Sequence, residues 1–301
     1  MTAFAEPQPA APAANGALAL LHERTCDCAD NHVSCVDAKE WIKAQLGVWQ
    51  FFYEKRDIRD KTVHPATFPI ALPRRWIELL THSGELVLDP FVGAGSTLVA
   101  ARDTDRNAVG FDLHEGYIAL ATERLGGLPP ARSSRQLAMQ ADARAIGGYL
   151  GPGTVSLIVT SPPYANLLNR PRKNKSRRGA ERQNGQYLKI EQYSDDARDL
   201  GLLPLPQYGE AMAGIFAGLL PLLRPGAHCV IDVPDMWWED ERVTIHLTLI
   251  EALRQVGYEF RNTVIWDRTN IVNRIGIFGW PNNYITMGTT FEYLLDFRRP
   301  K

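Results

Sequence analysis

From about residue 70 onward, short apolar runs alternate with stretches whose apolar residues recur at helical spacing. Leu86–Leu88, Ala108–Phe111, Gln136–Met139, Val155–Val159, Cys229–Val233, Thr263–Trp266 and Phe291–Phe297 read as strands. Between them, Ile70–Leu80, Thr97–Arg102, Glu115–Leu125, Tyr208–Leu223 and Val243–Val256 read as helices. Strands alternating with helices predict a doubly wound, mainly parallel α/β sheet. The last two strand patterns have no helix between them, which predicts a closing antiparallel hairpin. Upstream, Trp41, Leu46, Trp49, Phe52 and Tyr53 fall at helical spacing, so residues 36–56 are expected to be a helix packed on the main domain. Residues 1–18 are rich in Ala, Pro and Gly without any period, as in a disordered leader. The predicted organisation is a leader over 1–18, a helical N-terminal segment over 19–60 and the main domain over 61–301.

Two stretches break the alternation, at 165–207 and 267–287. Long irregular loops in a compact domain are usually functional or disordered. In an open α/β sheet, ligands bind at the carboxyl ends of the strands. Both insertions leave from, or return near, such an end, so both are expected to serve recognition.

Composition narrows the class. Hydrophobic residues make up 45% and charged residues 22% of the 301, the balance of an ordinary globular domain. No apolar run is long enough for a membrane span, and the N-terminus has neither the basic start nor the apolar core of a secretory signal. A cytoplasmic location is the expectation. The net charge of −1 gives no bulk attraction to nucleic acid, but charge is concentrated locally. Arg170, Arg172, Lys173, Lys175, Arg177, Arg178 and Arg182 stand against Glu181 alone. Cys26, Cys28, His32 and Cys35 lie close together, but C-x-C-x3-H-x2-C is not a common zinc spacing. Free thiols near a domain edge are expected there, and no metal.

Two motifs carry chemistry. In Asp89-Pro90-Phe91-Val92-Gly93-Ala94-Gly95-Ser96-Thr97, the glycines allow a sharp turn and a close backbone approach to a ligand. Ser96 or Thr97 is expected to cap the following helix, whose free N–H groups favour an anion. The second strand then ends in Asp112, where an acid can hold ribose hydroxyls. No third glycine follows at the dinucleotide spacing, so an adenosine cofactor other than a nicotinamide is expected. The second motif is Thr160-Ser161-Pro162-Pro163-Tyr164. Its prolines end a strand and stiffen the backbone, which frees the Ser161 and Pro162 carbonyls to accept from an amino group. Tyr164 offers a flat face on which a base could stack.

Together these motifs resemble the DNA amino-methyltransferases, which methylate N4 of cytosine or N6 of adenine. His64-Pro65-Ala66-Thr67-Phe68-Pro69 resembles the family's cofactor-side motif, and Phe291–Phe297 its closing strand. The resemblance implies a Rossmann-like methyltransferase fold, with a seven-stranded, mainly parallel sheet and an antiparallel last strand. It implies S-adenosylmethionine as donor and S-adenosylhomocysteine as product. Asp89, Phe91, Gly93, Gly95, Ser96, Thr97 and Thr160 would surround the cofactor, with Asp112 on the ribose and Asp142 on the adenine ring. His64, Pro65 and Phe68 would flank it from the other side. Ser161, Pro162, Pro163 and Tyr164 would form the catalytic strip.

The serine head is more typical of cytosine N4 enzymes, whereas Asp or Asn heads are more typical of adenine N6 enzymes. No cysteine lies in the strip, so direct transfer is expected rather than a thiol adduct. The implied partner is duplex DNA with a flipped base, in a restriction-modification setting with a separately acting endonuclease. The protein is expected to be a monomer or homodimer. The basic run beyond Tyr164 is the main candidate for DNA contact, together with Arg274; Trp237-Trp238 and Trp280 are secondary. Adenine N6, an RNA base, glutamine in a protein, and a cofactor-binding module without chemistry are the competing readings. The pattern ends at its closing strand, so recognition is expected within loops of the catalytic domain.

Overall fold

The N-terminal segment holds helix α1 (Ala38–Ala44) and a short strand β1 (Val48–Trp49). Next come α2 (Ala71–Leu80), β2 (Leu86–Asp89), α3 (Ser96–Asp103), β3 (Asn107–Asp112), α4 (Glu115–Gly126), β4 (Gln136–Gln140) and β5 (Val155–Thr160). Then follow α5 (Leu205–Leu219), β6 (Leu223–Val233), a small hairpin of β7 (Met236–Trp238) and β8 (Glu241–Val243), α6 (Ile245–Gln255), β9 (Glu259–Asp267) and β10 (Phe291–Arg298). The structure is a computed structural model and describes residues 22–29, 31–58, 67–128, 133–168, 196–238, 241–271 and 289–301. The leader 1–18 and the central parts of both insertions lie outside the described residues.

The main sheet runs β1-β9-β10-β6-β5-β2-β3-β4. β10 is antiparallel to both β6 and β9, and every other pairing in this sheet is parallel. This is a Rossmann-like, doubly wound α/β fold. The seven expected strands are present with the antiparallel hairpin at β9–β10, and β1 adds an eighth at the edge. Chain order reverses between β2 and β5, since β3 and β4 lie on one side of β2 and β5 and β6 on the other. A crevice for ligands forms at the carboxyl ends of strands flanking such a switch point. Asp89 ends β2 and Thr160 ends β5, so the fold itself brings the two sequence motifs together.

Both central strands are buried at every position, as expected for a sheet covered on both faces. Leu86, Leu88, Ile158 and Ile231 face a core completed by Tyr208, Met212 and Phe216 of α5 and Leu249 of α6. Val87, Leu157, Val159 and Val230 face the opposite core, with Trp76 and Ile77 of α2 and Leu98 of α3. Among the described residues, no helix is long and apolar enough to cross a membrane.

The N-terminal segment differs from its expected form. The helix stops at Ala44, and beyond Gly47 the burial alternates with period two: Trp49 and Phe51 are buried, while Val48 and Phe52 are exposed. Val48 and Trp49 pair in parallel with Ile265 and Trp266 of β9. Trp49 packs against Trp76 with ring centroids 4.7 Å apart, and Phe51 lies 6.2 Å from Trp266. Spacings from Trp49 to Phe52 and Tyr53 fit a helix, but the open edge of β9 supplies strand partners and decides the outcome. α5 also ends earlier than expected, at Leu219, because a 3-10 turn through Pro221 leads directly into β6.

Candidate active site

After β2 the chain turns through Gly93 (φ 46°) and Gly95 (φ 80°, ψ 23°) into α3. The left-handed conformation at Gly95 disfavours any side chain, and a Cβ there would lie 2.9 Å from the Ala121 Cβ. The loop is pinned to β3: the Val92 amide donates to the Phe111 carbonyl at 2.8 Å and the Gly93 amide to Asp112 Oδ2 at 3.0 Å. The expected capping by Ser96 or Thr97 is not what forms. Gly95 is the N-cap and supplies no side chain, and the Thr97 hydroxyl instead donates to Asp89 Oδ2 at 2.6 Å.

Asp89 is 1% exposed and takes three donors: the Thr97 hydroxyl, the Thr160 hydroxyl at 2.7 Å and the Phe91 amide at 3.1 Å. It therefore ties β2, α3 and β5 into one unit beneath the site. Burial pushes its carboxyl up and these bonds pull it down, with a net rise to about 6. Asp112 stands at the end of β3 and accepts from the amides of Gly93 and, at 2.9 Å, His114. Burial raises its carboxyl above the usual range, and the same two amides temper the rise. Each carboxylate oxygen keeps a further lone pair for a ligand hydroxyl.

An open cleft lies over these strand ends. Phe91, Asp112, Ser161 and Pro163 all line it, so both motifs face one space. Asp142 also lines it, while its carboxylate caps the 3-10 turn at Ala143–Gly148 and pairs with Arg144 at 2.9 Å. The sequence reading missed several wall residues. His114 and Tyr117 lie close to each other on one wall, with ring centroids 4.4 Å apart, directly after the acid that ends β3. Arg198 and Asp199 enter from the far end of the first insertion, where no pattern in the sequence marks them.

The Ser161 Oγ lies 2.8 Å from the Tyr164 hydroxyl. The Tyr164 ring is only 7% exposed and belongs to the core. The described structure therefore presents its hydroxyl to Ser161 rather than an open aromatic face. Beyond Tyr164 lies a buried polar group that the sequence reading also missed. Arg268 contacts Glu292, and fully buried Asp232 is raised well above the carboxylate range by burial and by Glu292. Asp232 sits inside the apolar run of β6, which disguised it.

Other candidates fall elsewhere. Phe68 packs against the core beside α2. His64, Pro65, Arg170, Arg172, Lys173, Lys175, Arg177, Arg178, Arg182, Arg274 and Trp280 lie outside the described residues, as do the side chains of Trp237 and Trp238.

Comparison with known proteins follows the same lines. The family model for DNA methylases matches residues 23–123, which includes the glycine loop and Asp112 and ends before Ser161. A stretch of 88 residues is 39% identical to the type II methyltransferase M.BglI of Bacillus subtilis, covering 29% of this chain and 24% of that protein. Another of 87 residues is 40% identical to the type II methyltransferase M.ScaI of Streptomyces caespitosus, covering 28% and 29%. Over these stretches the chain is similar to DNA methylases. The matched stretches span less than a third of either relative. The solved magnesium protoporphyrin IX methyltransferase of Synechocystis, with S-adenosylmethionine bound, covers 80% of this chain and 79% of its own at 12% identity, with a TM-score of 0.42. In this chain the glycine loop and the Ser161–Tyr164 strip share one cleft although 64 positions separate Thr97 from Ser161 (161 − 97).

Proposed function

We propose that this chain methylates the N4 amino group of a cytosine flipped out of duplex DNA, using S-adenosylmethionine. The observation that carries the reading is the cleft lined both by Phe91 and Asp112 and by Ser161 and Pro163. The first pair suits a nucleoside and the second an exocyclic amine. Asp112 would hold the ribose hydroxyls and Phe91 would lie against the adenosine. When bound, S-adenosylmethionine supplies an electrophilic methyl group on a sulfonium. The chain's own part is to fix the amino group: Ser161 Oγ and the Pro162 carbonyl accept its two N–H bonds and aim its lone pair into the cleft. The serine head favours cytosine over adenine. The type II relatives support a restriction-modification setting, in which a separate endonuclease would cut the unmethylated site.

Incubating the full chain with duplex DNA and methyl-labelled S-adenosylmethionine, then resolving the nucleosides by mass spectrometry, tests this. N4-methylcytosine is the expected product. N6-methyladenine would move the target to adenine, and cofactor binding without any methylated nucleoside would leave a binding module.

Two further outcomes follow. Asp112→Ala should raise the Kd for S-adenosylmethionine by about 10–100-fold, since charge-assisted hydrogen bonds contribute about 1.5–3 kcal/mol. Calorimetric titration measures this, and an unchanged Kd removes Asp112 from the ribose. For DNA, replacing Arg172, Lys173, Arg177 and Arg178 together by glutamine should flatten the slope of log K against log salt by up to about 3–4. The same slope in both proteins would place phosphate contact elsewhere.

A further inference from the structure

We propose that Cys26, Cys28, Cys35 and His82 form a closed, structural zinc site that fastens the N-terminal segment to the amino end of strand β2. The four ligand atoms all lie within 4.8 Å of one another. In a tetrahedral Cys3His site with Zn–S near 2.3 Å, neighbouring ligand atoms stand roughly 3.5–3.8 Å apart, so only small shifts separate this cluster from that geometry. His82 Nδ1 is 3.4 Å from Cys26 Sγ and 3.6 Å from Cys35 Sγ.

The surroundings match those of a metal-binding histidine. His82 is buried, and its other ring nitrogen, Nε2, lies 3.0 Å from the His32 carbonyl. That carbonyl can only accept, so Nε2 carries the proton and the Nδ1 lone pair points at the thiols. A ligating imidazole that donates its second N–H to a carbonyl is the usual arrangement around zinc. Three thiolates on a divalent ion leave a net charge of −1, and the Arg24 guanidinium donates to Cys26 Sγ at 3.2 Å. The spacing C-x-C-x6-C leaves the fourth ligand distant in sequence, which is why the cysteines alone resembled no zinc pattern.

The place of the cluster gives its role. His82 sits in the turn between α2 and β2, whereas the cleft lies at the opposite, carboxyl end of β2. Four protein ligands leave no open position for a reacting water, so the site holds structure. The Thr25 amide donates to the Ser83 carbonyl at 2.8 Å, and Arg224 bridges the His22 carbonyl and Glu85, each at 2.6 Å. The ion would complete this seam, and its binding would release thiol protons to solvent.

The test is elemental analysis of the full chain purified without a metal-affinity step, with cobalt substitution of the reduced, metal-stripped protein. About one zinc per chain is expected, with thiolate-to-cobalt charge-transfer bands and the strong visible absorption of tetrahedral cobalt. His82→Ala and Cys28→Ser should each reduce the bound zinc at least tenfold, whereas His32→Ala, which keeps the carbonyl, should retain it. Alkylation of the thiols on the folded wild-type chain should slow when zinc is added, a readout that does not depend on any variant folding. A zinc-free chain with no cobalt spectrum and unchanged alkylation overturns the proposal. So does loss of zinc in His32→Ala but not in His82→Ala.

Discussion

Ser161→Ala should lower the rate of methyl transfer by about 10²–10³-fold, the usual loss when one preorganised hydrogen-bonding group is removed from a reacting centre. The Kd for S-adenosylmethionine should stay within about twofold, because Asp112 and the glycine loop are untouched. The geometry explains the separation. Ser161 lines the cleft, and its hydroxyl lies 2.8 Å from the Tyr164 hydroxyl. One lone pair of Oγ can take the tyrosine proton while the other accepts from the amino group. Tyr164→Phe keeps the buried ring and removes only this hold, so its loss should be smaller, about tenfold, from a freed serine rotamer. Single-turnover methylation beside calorimetric cofactor titration distinguishes the two effects. Equal losses of rate and cofactor affinity in Ser161→Ala would mean that the serine supports the fold of the cleft and not the amine.

The sheet was legible because parallel strands buried on both faces leave continuous apolar runs, and Leu86–Leu88 and Val155–Val159 are such runs. The glycine turn was legible because Gly93 and Gly95 both adopt positive φ, a constraint that residue type alone expresses. What could not be read depends on partners distant in sequence. Trp49 pairs with β9 and Phe51 packs on Trp266 of the same strand, more than 200 positions away, so local periodicity pointed to a helix. The same limit hid His82, which approaches cysteines 47 and more positions upstream. It also hid Arg198 and Asp199, which reach the cleft only because the first insertion returns to it. Asp89 is the subtler case. Its place in the motif suggested a ligand contact, while its burial and three donors show a carboxylate occupied by the protein itself.

That occupation makes Asp89→Ala the most destabilising change expected in this region. The substitution removes the acceptor of two threonine hydroxyls and one amide in a place closed to water. A buried donor left without a partner costs about 1–3 kcal/mol, and the hydroxyls can partly re-aim, so a loss of about 2–4 kcal/mol in urea unfolding at pH 7 is expected. The carboxyl also titrates with folding. Its folded value, about 6, lies above the ordinary 3.8, so between these values the native state holds the proton more firmly than the unfolded chain. Stability from this group is therefore greatest below about pH 4 and falls as pH rises towards 6, by roughly 3 kcal/mol at most. Asp89→Asn cannot titrate, so the wild-type advantage over it should shrink across that window; a constant difference would show that Asp89 keeps one charge state throughout. The damage should also reach the reaction. Thr160 precedes Ser161 by one residue, and Thr97 lies in the first turn of the helix behind the glycine loop. Cutting both from their shared carboxylate frees the two motifs lining the cleft from each other, so the methylation rate should fall further than the folded fraction does.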